Sequence, residues 1–186
     1  EHGVILSERF PGCLERAIAK IDDPSIRVAF QATLTTGDFH GEKVITALVH
    51  ALTKYGQDTW FQTAILSSED GSSPEFLRLL LDQGTFFGKA DPWKVTFLES
   101  FSYVIGSRHH TDQINFLLSA LSRPEMEKGV KWQEAAVSGL IKGLQNSRTS
   151  TPQVKEVLTR MEADSTLKVN EKIRQLSSLY SGSPQF

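Results

Sequence analysis

Apolar residues along this chain recur every three or four positions, and short polar turns separate the apolar stretches. This spacing places apolar side chains on one face of an α-helix, so each stretch predicts an amphipathic helix. One such stretch predicts a helix from Glu42 to Tyr55, and another predicts a helix from Thr111 to Leu121. No stretch alternates between apolar and polar residues with β-branched enrichment, so a β-sheet is not expected. The pattern therefore predicts an all-α fold.

The predicted helices come in pairs that repeat along the chain. Their starts recur about every 33 to 39 residues, near Pro24, Thr59, Pro92, Lys131 and Thr166, a period typical of HEAT, armadillo and TPR units. Residues 1–9 and 11–21 predict a further pair. We therefore expect residues 1–186 to form a single domain, an α-α superhelix (a HEAT/armadillo-like solenoid) of about five helix pairs.

The residues that open the predicted helices favour HEAT-like units. Asp23 is placed to cap a helix, Pro24 suits the first helical position, and Arg27 can reach an acidic group on the neighbouring repeat. Gly37 suits the end of that helix. The residues assigned to the repeat structure are Asp23, Pro24, Arg27, Asp58, Asp91 and Pro92.

Composition narrows the possible partners. The chain has 39% hydrophobic and 23% charged residues, which is ordinary for a globular protein. Its net charge is −2, so it lacks the excess of basic residues that binding to nucleic acid requires. No apolar run approaches the ~20 residues that cross a bilayer, so membrane insertion is not expected. Cys13 is the only cysteine, and it is interpreted as a small core residue. The chain begins with Glu1 rather than Met, so it is interpreted as a fragment of a larger protein.

Motifs that would carry catalysis are missing from the sequence. It contains no Gly-x-Ser-x-Gly, no Gly-x-Gly-x-x-Gly and no Walker sequence. His109 and His110 are adjacent, with Asp112 close by, but capping of the following helix explains Asp112 without a metal. We expect no catalytic, cofactor-binding or metal-binding residues in this segment, and no cofactor.

Three sets of side chains are candidates for contact with a partner. Trp60, Trp93 and Trp132 fall near the starts of successive units, where they either pack between repeats or form an aromatic contact strip. Phe86 and Phe87 either seal the core beneath a loop or project from it. The second helices of the pairs are expected to line a concave face, with mixed polar residues at Glu42, Lys43, Thr46, His50, Glu75, Arg78, Asp82, Gln113 and Asn115.

Three stretches of the sequence resemble one large bacterial family. They are EHGVILSE at 1–8, DPSIRVAFQ at 23–31 and TWFQTAILSS at 59–68. They are similar to the multidomain haem-binding, membrane-bound-dehydrogenase-like proteins, and the resemblance covers most of residues 1–122. Such proteins join a sorbosone-dehydrogenase-like β-propeller, a HEAT-like segment and a cytochrome c module with Cys-x-x-Cys-His.

The resemblance implies a periplasmic or exported protein in which this segment lies between redox modules. The chain itself has no Cys-x-x-Cys-His, so any dehydrogenase activity is expected elsewhere in the parent protein. We therefore expect a non-catalytic scaffold or interaction module, whose partners are the flanking domains of the parent chain or another protein. The alternative is a part of an enzyme, either a dehydrogenase fragment or a HEAT-like lyase, that contributes residues to a site.

Overall fold

The computed structural model describes residues 12–123, 126 and 130–144, together with residues 159, 162, 173, 174 and 177. The described residues contain α-helices and no strand, so the predicted all-α class is confirmed. The helices predicted within residues 1–9 and beyond residue 144 lie outside the described residues.

The chain forms two compact units, Glu1–Gln83 and Gly84–Phe186. The first unit contains α1 Cys13–Lys20, α2 Ile26–Thr36, α3 Glu42–Tyr55, α4 Thr59–Ser67 and α5 Pro74–Gln83, with a 3-10 turn at Asp70–Ser72. The second contains α6 Pro92–Arg108, α7 Thr111–Ala120 and α8 Val130–Leu144. Whether the two units form the single expected domain stays a prediction.

In the first unit, packing between helices two places apart accompanies packing between direct neighbours. The helix α2 packs on α4, and α3 packs on α5. Phe61 of α4 links these layers, because its ring lies 5.5 Å from that of Phe30 and 4.5 Å from that of Tyr55. Burial of such apolar rings and chains between helices is the main stabilising contribution.

The helix starts predicted near Thr59, Pro92 and Lys131 are confirmed, because α4 begins at Thr59, α6 at Pro92 and α8 at Val130. The Asp58 carboxylate caps α4 by accepting the Trp60 N–H at 2.8 Å. Pro92 occupies the first turn of α6, where its missing N–H leaves no bond unmade. Asp91 precedes it without capping by its side chain, because that carboxylate pairs with Lys89 at 3.0 Å and with Lys94 at 3.5 Å.

The predicted opening of α2 was wrong by two residues. The helix begins at Ile26, so Pro24 lies outside it. Asp23 accepts the Ser25 N–H at 3.0 Å, which closes a local turn in front of the helix instead of capping it. Arg27 is exposed and forms no ion pair within the described part of the chain, so its predicted bridge to a neighbouring repeat is absent there.

The second unit depends on close contact between α6 and α8. Gly106 of α6 and Gly139 and Gly143 of α8 lie where the two backbones meet, and a methyl group on any of them would press on backbone atoms of the facing helix. Lys142 reaches across to Glu99 at 2.5 Å. Because the three glycines allow the two backbones to meet, they set the separation of these helices.

An aromatic cluster closes the second unit beside that helix pair. Phe86 and Phe87 are buried, and their rings lie 6.0 Å and 5.2 Å from that of Trp132. Trp93 joins the cluster at 5.8 Å from Phe86. Of the two alternatives for the Phe86–Phe87 loop, sealing of the core is confirmed.

Candidate functional site

An open groove of about 770 Å³ lies between α1 and α3 in the first unit. We call it the α1–α3 groove. Its apolar floor is formed by Ile18, Ile21 and Ala47. Four polar residues that the sequence assigned to the second helix of a pair line its α3 side: Glu42, Lys43, Thr46 and His50. Their spacing follows one face of α3, so the helical period brings them together.

Ion pairs join the two walls of the α1–α3 groove. Lys43 lies 3.3 Å from Glu15, and Asp22, just beyond α1, accepts from Lys54 at 2.6 Å and from His50 at 2.9 Å. The pKa of Asp22 is held below its ordinary value, first by the hydrogen bond from Lys54 and then by that from His50. The same contact raises the pKa of Lys54, so both partners favour the ionised pair.

Asp22→Asn is expected to lower the urea midpoint of the chain slightly at pH 7. Because the folded state lowers the pKa of Asp22, its stabilising contribution is present above the ordinary value of 3.8 and is lost as the pH falls through the lowered pKa. The midpoints of the wild type and the variant should therefore converge once the pH lies below the lowered pKa of Asp22. Asp38→Asn, at an exposed carboxylate that forms no ion pair within the described residues, is the control, and an equal effect there would contradict this role for Asp22.

A second groove, of about 540 Å³, lies on the other side of α1, against α2. We call it the α1–α2 groove. Arg16 and Lys20 line it from α1, and Arg27 lines it from α2. Sequence reasoning did not find this groove. The spacing of Arg16 and Lys20, one helical turn apart on one face, was the available signal.

The three tryptophans do not share one environment. The Trp60 side chain is 70% exposed at the start of α4, whereas Trp132 is 2% exposed within the aromatic cluster of its unit. Trp93 is half-buried beside Phe86. Of the two alternatives given for the tryptophans, packing describes Trp132, whose ring is covered by its own unit. Trp60 alone presents most of its ring to solvent.

The two adjacent histidines lie at a helix junction. His109 ends α6 in the left-handed region, with φ 57°, and His110 precedes α7. The Nδ1 atom of His109 is buried without a hydrogen-bond partner. Among the described residues, no group of three or more His, Cys, Asp or Glu side chains is placed to hold a metal ion. In the same part of the chain, no helix is both long and apolar enough to cross a membrane.

Comparisons of this chain with protein-family models, with curated proteins and with solved structures find no match.

Proposed function

We propose that this chain is a non-catalytic scaffold or protein-interaction module, which spaces or docks neighbouring redox domains of an exported protein. The observation that carries this function is the α1–α3 groove, which is open and has an apolar floor and charged side chains along both walls. Its volume of about 770 Å³ is similar to the roughly 300–1,000 Å³ of small-molecule clefts, so the groove has room for side chains of a partner. An apolar floor with a polar rim is also the usual composition of a protein–protein contact.

The packing of the first unit supports a HEAT-like architecture for this module. In a stack of helix pairs, first helices pack on first helices and second helices pack on second helices. The contacts of α2 with α4 and of α3 with α5 follow that rule. A groove between α1 and α3 is then a groove between second helices of successive pairs, and such grooves recur along a solenoid surface.

Ala19→Arg tests this function directly. Ala19 is exposed and lines the α1–α3 groove, so an arginine there fills the groove without entering the core. We expect the chain to bind purified domains encoded beside it in its parent gene, measured by isothermal titration calorimetry. The variant should bind them about tenfold more weakly, which corresponds to about 1.4 kcal/mol.

Thr63→Arg is the matched control, because Thr63 is an exposed position on α4 that does not line the groove. It adds the same side chain to the same unit and should leave the affinity unchanged within about twofold. Circular dichroism of both variants checks that they fold. Equal affinities for wild type and Ala19→Arg, or no binding to any flanking domain, would contradict this function.

A further inference from the structure

The α1–α2 groove differs from the α1–α3 groove in its charge. Every charged side chain that lines it is a cation: Arg16, Lys20 and Arg27. Lys20 is already paired with Asp23 at 2.8 Å. Arg16 and Arg27 are exposed and form no ion pair within the described residues. The whole chain carries a net charge of −2, so this positive surface is local and does not follow from the overall composition.

Apolar side chains lie between these cations. Ala17 and Ala32 are buried at the base of the groove, and Val28 lines it while remaining 40% exposed. Ile26, two positions before Val28, is 52% exposed at the start of α2. Covering the exposed aliphatic side chains with an apolar surface is favourable because it removes apolar area from water. The guanidinium groups require negatively charged partners instead.

The two walls of the groove supply charge from opposite sides. Arg16 and Lys20 are one turn apart on α1, and Arg27 lies on α2. A ligand that fills this groove needs an apolar face in the centre and negative charge on both flanks. Guanidinium groups bind carboxylates through paired, charge-assisted hydrogen bonds, which favours Asp and Glu side chains on those flanks.

We propose that the α1–α2 groove binds an acidic amphipathic helix of a partner protein, with its apolar side chains on Ala17, Val28 and Ala32 and its carboxylates on Arg16 and Arg27. This is the helix-in-groove mode of recognition, in which apolar residues spaced three and four apart enter the groove. A nucleic acid is a poorer fit, because it requires a longer row of cations and does not use the aliphatic floor. This surface is separate from the α1–α3 groove, so each can be tested without the other.

Cys13 provides a direct probe of occupancy, because it lines this groove and is the only cysteine in the chain. The test uses the full chain and a helical peptide of about 18 residues with Leu on one face and Glu on both flanks. Its binding is measured by fluorescence anisotropy, and the rate at which a maleimide labels Cys13 is measured in parallel. We expect saturable binding that weakens with added salt and that slows the labelling of Cys13.

Charge reversal locates the binding site. Arg16→Glu combined with Arg27→Glu should weaken the peptide at least about tenfold, because two attractive contacts become repulsive. Val28→Asp should also weaken it, through loss of the apolar contact. The control Lys131→Glu alters an exposed cation on α8, outside the groove, and should leave binding unchanged. The same peptide with Gln in place of Glu should bind the wild type at least about tenfold more weakly.

Four results would overturn the proposed ligand. Binding that survives reversal of Arg16 and Arg27 would place the peptide elsewhere on the chain. Absence of binding would show that the groove does not bind an acidic amphipathic helix. Protection of Cys13 by phosphatidylglycerol vesicles but not by the peptide would indicate a lipid surface instead. A Cys13 that resists labelling in the free, folded chain but reacts in urea would show that the chain covers this groove itself.

Discussion

Gly139→Ala is expected to destabilise the second unit by about 3 kcal/mol, although alanine is the better helix former. A methyl group at Gly139 would overlap the carbonyl oxygen of Glu99 and press on Ser102 of the facing helix. Both helices belong to the same packed pair, so the strain is relieved only if α6 and α8 move apart. Overpacking of this kind costs about 1–3 kcal/mol or more, and a backbone contact cannot move away as a flexible side chain can.

The helix propensity of alanine offsets part of that cost. Replacing glycine by alanine within a helix contributes about 1 kcal/mol of stability where nothing is in the way. A net loss of about 3 kcal/mol in the free energy of unfolding therefore requires a steric cost of about 4 kcal/mol. A cost of this size is expected because main-chain atoms cannot move aside as a flexible side chain can. Gly143→Ala should behave in the same way, because a methyl group there would meet Tyr103 and Ser107 backbone atoms.

Urea unfolding followed by circular dichroism measures this effect. Gly88→Ala is the matched control, because a methyl group at Gly88 would lie 3.5 Å from its nearest neighbour, the Thr85 carbonyl oxygen, in ordinary contact. It should change the free energy of unfolding by less than about 1 kcal/mol. If Gly139→Ala were as stable as the wild type, close backbone packing of α6 on α8 would be contradicted.

Trp132→Ala is expected to cost about 4 kcal/mol, whereas Trp60→Ala should cost less than about 0.5 kcal/mol. Trp132 is 2% exposed and packs against Phe86 and Phe87, so its removal leaves a large cavity. Trp60 is 70% exposed, so truncation exposes little new surface. The same substitution therefore has a large effect at one position and a small effect at the other, although the two positions look equivalent in the sequence.

Thermal unfolding of the two single variants measures this difference, with Trp93→Ala expected between them because Trp93 is half-buried. Trp60→Ala should remain folded, so it can also be assayed for binding to the flanking domains. Similar losses of stability for Trp60→Ala and Trp132→Ala would contradict the burial of Trp132 and the exposure of Trp60. A folded Trp60→Ala chain with weaker binding would add Trp60 to the partner surface.

Much of the helix pattern was predictable, because local chemistry decides it. The predicted helix Glu42–Tyr55 coincides with α3, and the predicted helix from Thr111 to Leu121 extends one residue beyond α7. Asp58, which the sequence assigned to the repeat structure, caps α4 through a bond to the Trp60 N–H within the helix's first turn. The start of α2 was missed because Asp23 has two local alternatives, a cap and a turn, with similar bonds.

The candidate site was predictable only in part. The polar residues of α3 share a face by helical period, so the sequence grouped Glu42, Lys43, Thr46 and His50 correctly. Their partners Glu15 and Asp22 were not predictable, because residues 28 or more positions apart are joined only by helix packing. The cations of the α1–α2 groove were missed for the same reason, since Arg27 comes from a different helix than Arg16 and Lys20.

The sequence by itself determined the all-α class, the approximate bounds of most described helices and the polar face of α3, because these depend on residues within a few turns of one another. Only the tertiary structure decided which tryptophan is buried and where α6 and α8 touch. It also decided which charged residues face each other across the α1–α3 groove. Those features depend on how separate helices pack, and the spacing of apolar residues along one helix does not specify which neighbour will cover them. Trp60 and Trp132 occupy similar places in the predicted repeat pattern, yet only Trp132 packs against Phe86 and Phe87.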